Sequence, residues 1–490
     1  MEPLTFDQEV LNRLPLAEAV LLLLRQATLP EHCLDLFDRL RGPCYTRKIS
    51  FDLFVALIRE ALLSHGGSAR QAFEQARRDG SLEASNQAAY GKLHTVPLAL
   101  SEAFLAENSA RLQPLLPDDL PSPLPACLRR FDVQTIDGKV TKRIAKRLKV
   151  LRRLAGGVLG GKGLVSVNTH TGLVTALAGT TDGHANDASL VPALVERVRP
   201  LVDADTEILW IADSQFADLT QPYRLMGPNF ASGGKHDHFL IRYSAKTHFT
   251  ADADAEFVRA GAAVQGTDKE GRAWRQEWGW LGRPGSKKRL YVRRITLLRP
   301  AAQAVRVVTD LLDPETYPAE DLLQAYRLRV RIEGVFQKIT EVFSLKRLIS
   351  CKPKGTVFQL SFCLLLYNLI QVVRSHVAAG QKMAAEAVSA EMLYTDVQKQ
   401  LAAVVEVVQS AEAIGQLVPP DLTPAQTRTR LRVLLAGLWK PIWRKTGNKK
   451  PRPHPNKSRA RGHSAVQRIL DQQHAQSRPR KRPKCKLPGS

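Results

Sequence analysis

The order of strand-like and helix-like runs between residues 131 and 212 constrains this chain more than any other feature. Residues 131–137 form a β-type run, and 163–169 and 172–178 form two more, joined by a tight turn at His170-Thr171-Gly172. A helix follows, with Leu190, Val191, Leu194, Val195 and Val198 on one face and Asn186 or Asp187 placed to cap it. Residues 207–212 read as a fourth strand that delivers Asp213 at its carboxyl end, and 238–243 as a fifth. A stretch with its own β character comes next, in which 274–280 and 290–298 flank the turn Gly282-Arg-Pro-Gly-Ser-Lys-Lys288. Residues 305–309 make one more strand, ahead of the helix that holds Glu333.

Three strands, a helix, a strand and then helices, with a late insertion, is the succession of an RNase H-like α/β core. The expected organisation is a helical amino-terminal domain at 1–125, the first part of that core at 126–245, a β-rich insertion at 246–304, the second part with the Glu333 helix at 305–380, further helices at 381–438, and a basic tail at 439–490. Apolar residues at helical spacing (Phe51, Leu53, Phe54, Leu57, Ile58, Leu62, Leu63) support the first unit, and Pro117, Pro121, Pro123 and Pro125 end it. The tail has 16 Lys and Arg after Trp439 against one acid, Asp471, so it is expected to be disordered alone.

Charge narrows the function. The chain has 71 Lys and Arg against 47 Asp and Glu, a formal net charge of +24, which favours a polyanionic partner and above all nucleic acid. A basic run holds Lys139, Lys142, Arg143 and Lys146, with Ile144, Leu148 and Leu151 at helical spacing; a helix here would set a basic face beside Asp137 for phosphate contacts. The six cysteines form no CxxC pair, which argues against a zinc site or a disulfide framework. No Walker-type loop or G-x-S-x-G elbow is present, so ATP hydrolysis and esterase chemistry have no support. The amino-terminal residues have no basic secretory n-region, and the apolar stretch 357–373 contains Gln359, Asn368 and Gln371 and reads as a buried helix. A cytoplasmic, nucleoid-associated bacterial protein with no membrane partner is the expectation.

Asp137, Asp213 and Glu333 are the candidate catalytic and metal-ligating residues. Phosphodiester chemistry at such a sheet needs carboxylates converging on one point, because two divalent ions activate the attacking oxygen and stabilise the leaving one, and hard Mg2+ prefers carboxylate oxygen. Taken singly, an Asp after a strand is more often a turn or a helix cap. Their joint placement is what carries weight. Trp274, Trp278 and Trp280 suit either base stacking or core packing, and His184 has no assigned role.

Here the sequence resembles the DDE transposases of bacterial insertion sequences, the insertion-sequence-four type whose third acid lies in a Tyr-x-x-Arg-x-x-x-Glu signature. Tyr326, Arg329 and Glu333 stand at that spacing, and Ile-Asp-Gly at Asp137, Ala-Asp-Ser at Asp213 and Leu-Leu-Tyr-Asn-Leu-Ile at 365–370 resemble the settings of the family's other motifs, over roughly residues 130 to 375. The chain departs from the signature at Thr340, where the family has Lys, and at Val330, where it has Trp. The resemblance implies a cut-and-paste transposase using two Mg2+ or Mn2+ ions on Asp137, Asp213 and Glu333. It also implies DNA contacts by Tyr326 and Arg329, double-stranded DNA partners (terminal inverted repeats and target), and a homodimer in the synaptic complex. A non-catalytic or domesticated DNA-binding relative and a stand-alone nuclease remain as alternatives.

Overall fold

The computed structural model describes residues 6–445 apart from 45–47, 64, 66–67, 145–156, 229, 231–233, 287, 299–303, 344, 346–349, 351, 409–417 and 420–421. Seven helices come first: α1 (Phe6–Asn12), α2 (Pro15–Ala27), α3 (Pro30–Leu40), α4 (Phe51–Leu63), α5 (Ala69–Arg78), α6 (Asn86–Thr95) and α7 (Leu98–Leu112). Ten strands follow, β1 (Asp132–Ile144), β2 (Gly157–Asn168), β3 (Val174–Thr180), β4 (Ile208–Ala212), β5 (His238–Arg242), β6 (Phe249–Ala251), β7 (Gln265–Thr267), β8 (Ala273–Leu281), β9 (Leu290–Leu297) and β10 (Val305–Thr309). Helices α8 (Val191–Val198), α9 (Thr220–Met226) and α10 (Glu256–Arg259) lie between strands, and α11 (Ala319–Arg327), α12 (Val330–Glu341), α13 (Pro353–Gly380), α14 (Ala390–Val408) and α15 (Pro424–Leu435) follow the last strand among the described residues.

The strands join one mixed sheet in the order β3-β2-β1-β4-β5-β10-β9-β8-β6, with β7 also paired to β8. β1, β2 and β3 are antiparallel neighbours, whereas β4 runs parallel to β1, and β5 parallel to β4. β4 is buried at every position, as a central strand covered on both faces should be. Alternation along it sends Ile208, Trp210 and Ala212 to a core with α8, and Leu209 and Ile211 to a core with α11. The β-rich insertion is no separate layer: β9 pairs with β10 and carries the sheet straight into it.

The amino-terminal helices share one hydrophobic core with α13, α14 and α15. Phe51, Phe54 and Phe104 stack around Phe358 of α13 at ring separations of 5.4–6.1 Å, and Phe358→Ala would leave a cavity costing about 3–5 kcal/mol. α13 is apolar and long enough to cross a membrane by length and composition, but protein covers it from Gly355 to Ala378, as the reading of 357–373 as a buried helix expects. Its polar groups are paired inside: Asn368 bonds both the N–H and the carbonyl of Val174, and Arg374 donates to Val388.

Two expectations are corrected. The basic run does not begin a helix: Lys139, Lys142 and Arg143 belong to β1, with Arg143 paired to Val158 and Ile144 to Gly157, while Lys146 lies outside the described residues. Glycines on β2 explain this. A Cβ at Gly160 or Gly161 would meet Thr356 or Val357 of α13 at 2.8 Å or less, so β2 lies close under that helix and offers β1 a continuous partner. The carboxyl-terminal boundary also moves. Residues 439–445 are anchored through one side chain: Trp443 is buried with its indole donating to Asp396, and Lys440 pairs with the same carboxylate. Residues 446–490, most of the basic tail, lie outside the described residues. Among the described cysteines, Cys33, Cys44, Cys127 and Cys363 are free thiols.

Candidate active site

β1 and β4 are in register from Asp132↔Ile208 to Thr135↔Ile211, and two residues further the same register sets Asp137 opposite Asp213. Asp137 does not end β1; the strand runs on past it, and Asp213 follows the last residue of β4. Adjacent strands lie about 4.8 Å apart, so the two carboxylates leave the sheet as neighbours. β4 and β5 continue the alignment, with Ala212↔Ile241, which brings Arg242 beside Asp213; the ion pair measures 4.0 Å.

The third acid arrives from two helices rather than one. Leu328 and Arg329 N–H donate to the carbonyls of Ala325 and Tyr326, three residues back, and this tightened turn separates α11 from α12. Tyr326 therefore closes α11 with its ring buried in the core against the sheet, Arg329 stands at the start of α12, and Glu333 lies in the first turn. The single helical stripe implied by the spacing is broken, yet the residues still meet. Arg329 Nη2 donates to Glu333 Oε1 at 2.7 Å, and its Nη1 lies 3.7 Å from Asp137 Oδ2. One guanidinium fork reaching both carboxylates keeps them within roughly 9 Å of each other.

Electrostatics at this end of the sheet are unbalanced. Burial pushes the Asp137 carboxyl up to about 6; the Gly138 N–H and the Arg329 guanidinium pull it down, while Asp187 and Asp213 push it further up. Asp213 Oδ1 is buried and accepts no hydrogen bond among the described residues. A buried carboxylate oxygen with no donor, beside two other acids, is the donor set that a hard divalent cation requires, so Asp137, Asp213 and Glu333 fit such an ion.

Sequence reasoning missed two neighbours. Arg242 was detectable only through the β4–β5 register. Asp187 was read as one of two cap candidates; Asn186 takes the cap, accepting from Ala188 N–H, while Asp187 turns inward and pairs with Lys162 at 2.5 Å. A Cβ at position 138 would stand 2.2 Å from the Asp187 carboxylate, so only glycine after Asp137 leaves room for it. Lys139 points across to α12, its ammonium 5.5 Å from the centre of the Phe336 ring. Lys142 and Arg143 take part in the β1–β2 ladder.

At the departure from the signature, the Thr340 hydroxyl donates to the Phe336 carbonyl of its own helix. Lys338 instead lines a cleft of about 510 Å3 that Glu333, Arg331, Arg374 and Lys445 also line. Burial, followed by the cations Arg374 and Lys445, holds the Lys338 ammonium down at about 7. Of the three tryptophans, Trp278 is core, its indole donating to Leu312, and Trp280 is partly exposed with the Arg289 guanidinium over its ring.

No curated protein matches the chain. Among solved structures, a piggyBac transposase in a synaptic complex with hairpin DNA aligns with 87% of this chain and 79% of its own, at 12% identity and a TM-score of 0.37. Residues 157–369, which start after Asp137 and hold Asp213, Tyr326, Arg329 and Glu333, match the family model described as Transposase DDE domain.

Proposed function

We propose that this protein is a transposase that cuts DNA at the ends of a mobile element and joins the freed ends to a target. The observation that carries the reading is the placement of three acids at one end of the sheet: the β1–β4 register, continued by two residues, sets Asp137 opposite Asp213, and Arg329 links Asp137 to Glu333. The match of 157–369 to a transposase DDE domain supports it. So does the strand order β3-β2-β1-β4-β5, with β2 antiparallel and β4 and β5 parallel, which is the order of an RNase H-like core.

In this reading Asp137, Asp213 and Glu333 hold two divalent ions, Mg2+ or Mn2+. When bound, these ions supply the activation of the attacking oxygen and the charge stabilisation of the leaving one. Arg329 spans Asp137 and Glu333 in the free protein, and turning its fork onto a phosphate of the DNA end frees both carboxylates as the substrate is seated. Tyr326 anchors that turn in the core. Asp137, with a carboxyl near 6, is ionised at neutral pH and ready to bind cations. Attack by water frees a 3′ hydroxyl, and attack by that hydroxyl on a second phosphodiester joins the strands without a covalent enzyme intermediate. The helical body supplies contacts to the inverted repeat, the basic residues after Lys445 add sequence-independent affinity, and two copies pair the element ends.

The test is strand cleavage on a duplex carrying the element's inverted repeat. Asp137→Ala, Asp213→Ala and Glu333→Ala should each abolish cleavage while DNA binding persists, because phosphate contacts lie elsewhere. Cleavage near the wild-type rate in any one of them removes that residue from the site.

A further inference from the structure

The end of the sheet opposite Asp213 carries a second cluster of ligand-type side chains. Glu207 precedes β4, His238 opens β5, His236 lies two residues before it, and Asp310 directly follows β10. Asp310 Oδ2 is 2.7 Å from His238 Nδ1 and 3.6 Å from His236 Nε2, and one donor atom from each of the three falls within 4.8 Å of the others.

The surroundings aim these atoms. Asp310 Oδ1 accepts the Phe239 N–H at 2.9 Å, which fixes the carboxylate and turns Oδ2 toward the imidazoles. His236 Nδ1 lies 2.9 Å from the Gly234 carbonyl; a carbonyl can only accept, so Nδ1 carries the proton and Nε2 of the neutral ring offers a lone pair to the cluster. His238 turns Nδ1 inward and Nε2 toward Glu207 Oε2 at 3.8 Å, and Arg130 holds Glu207 in place at 2.6 Å. Each imidazole thus has one nitrogen on the cluster and the other facing an oxygen acceptor, which is how metal-ligating histidines are oriented.

We propose that His236, His238 and Asp310 bind one divalent transition-metal ion of the zinc type, with Glu207 orienting His238 and water completing the coordination. Zinc bonds of about 2.0–2.2 Å in a tetrahedron separate ligand atoms by roughly 3.3 Å, a value within the observed spread. Binding lengthens the Asp310–His238 contact and draws His236 inward, a shift open to a side chain that is 25% exposed. Two imidazoles beside one carboxylate select zinc over Mg2+, whose preferred ligands are all oxygen. The ion would tie together the ends of β4, β5 and β10. It would lie about 17 Å along five-residue strands from the acids, so the inference stands apart from the transposase reading.

The experiment uses the full chain stripped with EDTA and dialysed, carrying Asp213→Ala and Glu333→Ala so that the acid site does not compete. Titration with Zn2+ by calorimetry should give one equivalent bound, Co2+ should produce the intense visible absorption of a tetrahedral site, and Zn2+ should raise the thermal midpoint. Adding His236→Ala, the most exposed ligand and the substitution gentlest to the fold, should weaken binding by at least about 100-fold, and Glu207→Gln by roughly 10-fold. No stoichiometric Zn2+ binding, or equal affinity with and without His236→Ala, overturns the proposal and leaves the cluster a hydrogen-bonded His-Asp-His network.

Discussion

The two ends of β4 and β5 show how one sheet sorts charged groups by chemistry. At the carboxyl end, Asp213 has a buried oxygen with no donor, and Asp137 is pushed up to about 6 by burial and neighbouring acids. At the amino end, Asp310 is more deeply buried, yet both its oxygens are engaged, one by the Phe239 N–H and the other by His238, and its carboxyl is held below the usual range by those partners and His236. Burial of a carboxylate therefore has opposite electrostatic results at the two ends, and the more deeply buried Asp310 is the one held low. The difference lies in whether the neighbours are acids or imidazoles. An all-oxygen set with unmet demand suits a hard ion and a reaction; a set of two nitrogens and one oxygen suits a structural transition metal.

The largest expected effect breaks the comparison at one end only. Asp213→Ala should reduce DNA cleavage by at least about 1,000-fold, since metal-ion stabilisation supplies several kcal/mol and each 1.36 kcal/mol is tenfold. The same variant should leave Zn2+ affinity at the histidine end unchanged. A parallel loss of Zn2+ binding would mean that the two ends are one site.

Next comes Arg329, the cation that partly compensates the acid end. Arg329→Ala should slow cleavage of the inverted-repeat duplex by about 10- to 100-fold and weaken binding to pre-cut ends, through loss of a forked phosphate contact. Arg329→Lys should restore only part, because an ammonium cannot reach two carboxylates or two phosphate oxygens at once. Full activity in Arg329→Ala would reduce the signature residues to helix packing.

Asp137→Asn sharpens the contrast through stability. The folded-state value near 6 lies above the ordinary 3.8, so between those values the folded protein holds more protons than the unfolded chain. Stability accordingly falls as pH rises through that window, and the cost is fully present above 6. In EDTA at pH 7.5 the Asn variant should be more stable by up to about 3 kcal/mol, and the advantage should vanish below pH 4. A melting difference that does not change with pH would show that the Asp137 charge carries no folding cost.

The smallest effect on cleavage and metal binding belongs to a group at neither end. The Lys338 ammonium, held near 7 by burial and by Arg374 and Lys445, takes up fewer protons folded than unfolded between 7 and 10.5, so its contribution makes stability rise with pH there. Lys338→Met should remove that slope and raise the melting temperature at pH 7, with metal binding at both ends untouched. An unaltered slope between pH 7 and 10 in thermal melts would move the burial cost to another group.

Much of the core was legible because its signals are local. Val305–Thr309 agrees with the strand read at 305–309, and Gly172, at φ +72 in the turn between β2 and β3, was marked by its sequence setting. Residues 139–144 misled because their helical spacing is a local signal, whereas their partner, the glycine-rich start of β2 under α13, is set by packing across the fold. The turn between α11 and α12 has no Gly or Pro to announce it. Of the acids, Asp213 was readable from the end of β4, and Asp137 from its β-type run, although β1 continues past it. Asp187 and Arg242 depend on register, and His236, His238 and Asp310 come together across 72 residues by β5–β10 pairing, a match no local pattern encodes.

The unbroken sheet has a mechanical meaning. From β1, which carries Asp137, to β8, which carries Trp280, the path crosses β4, β5, β10 and β9 without a gap in pairing. Five interstrand steps of about 4.8 Å make this a rigid span near 24 Å. Along a DNA strand at 3.4 Å per nucleotide, that is roughly seven nucleotides. The insertion is thus a fixed gauge rather than a swinging arm: under the proposed function, a nucleotide held by Trp280 and Arg289 would stand at a set distance from the acids.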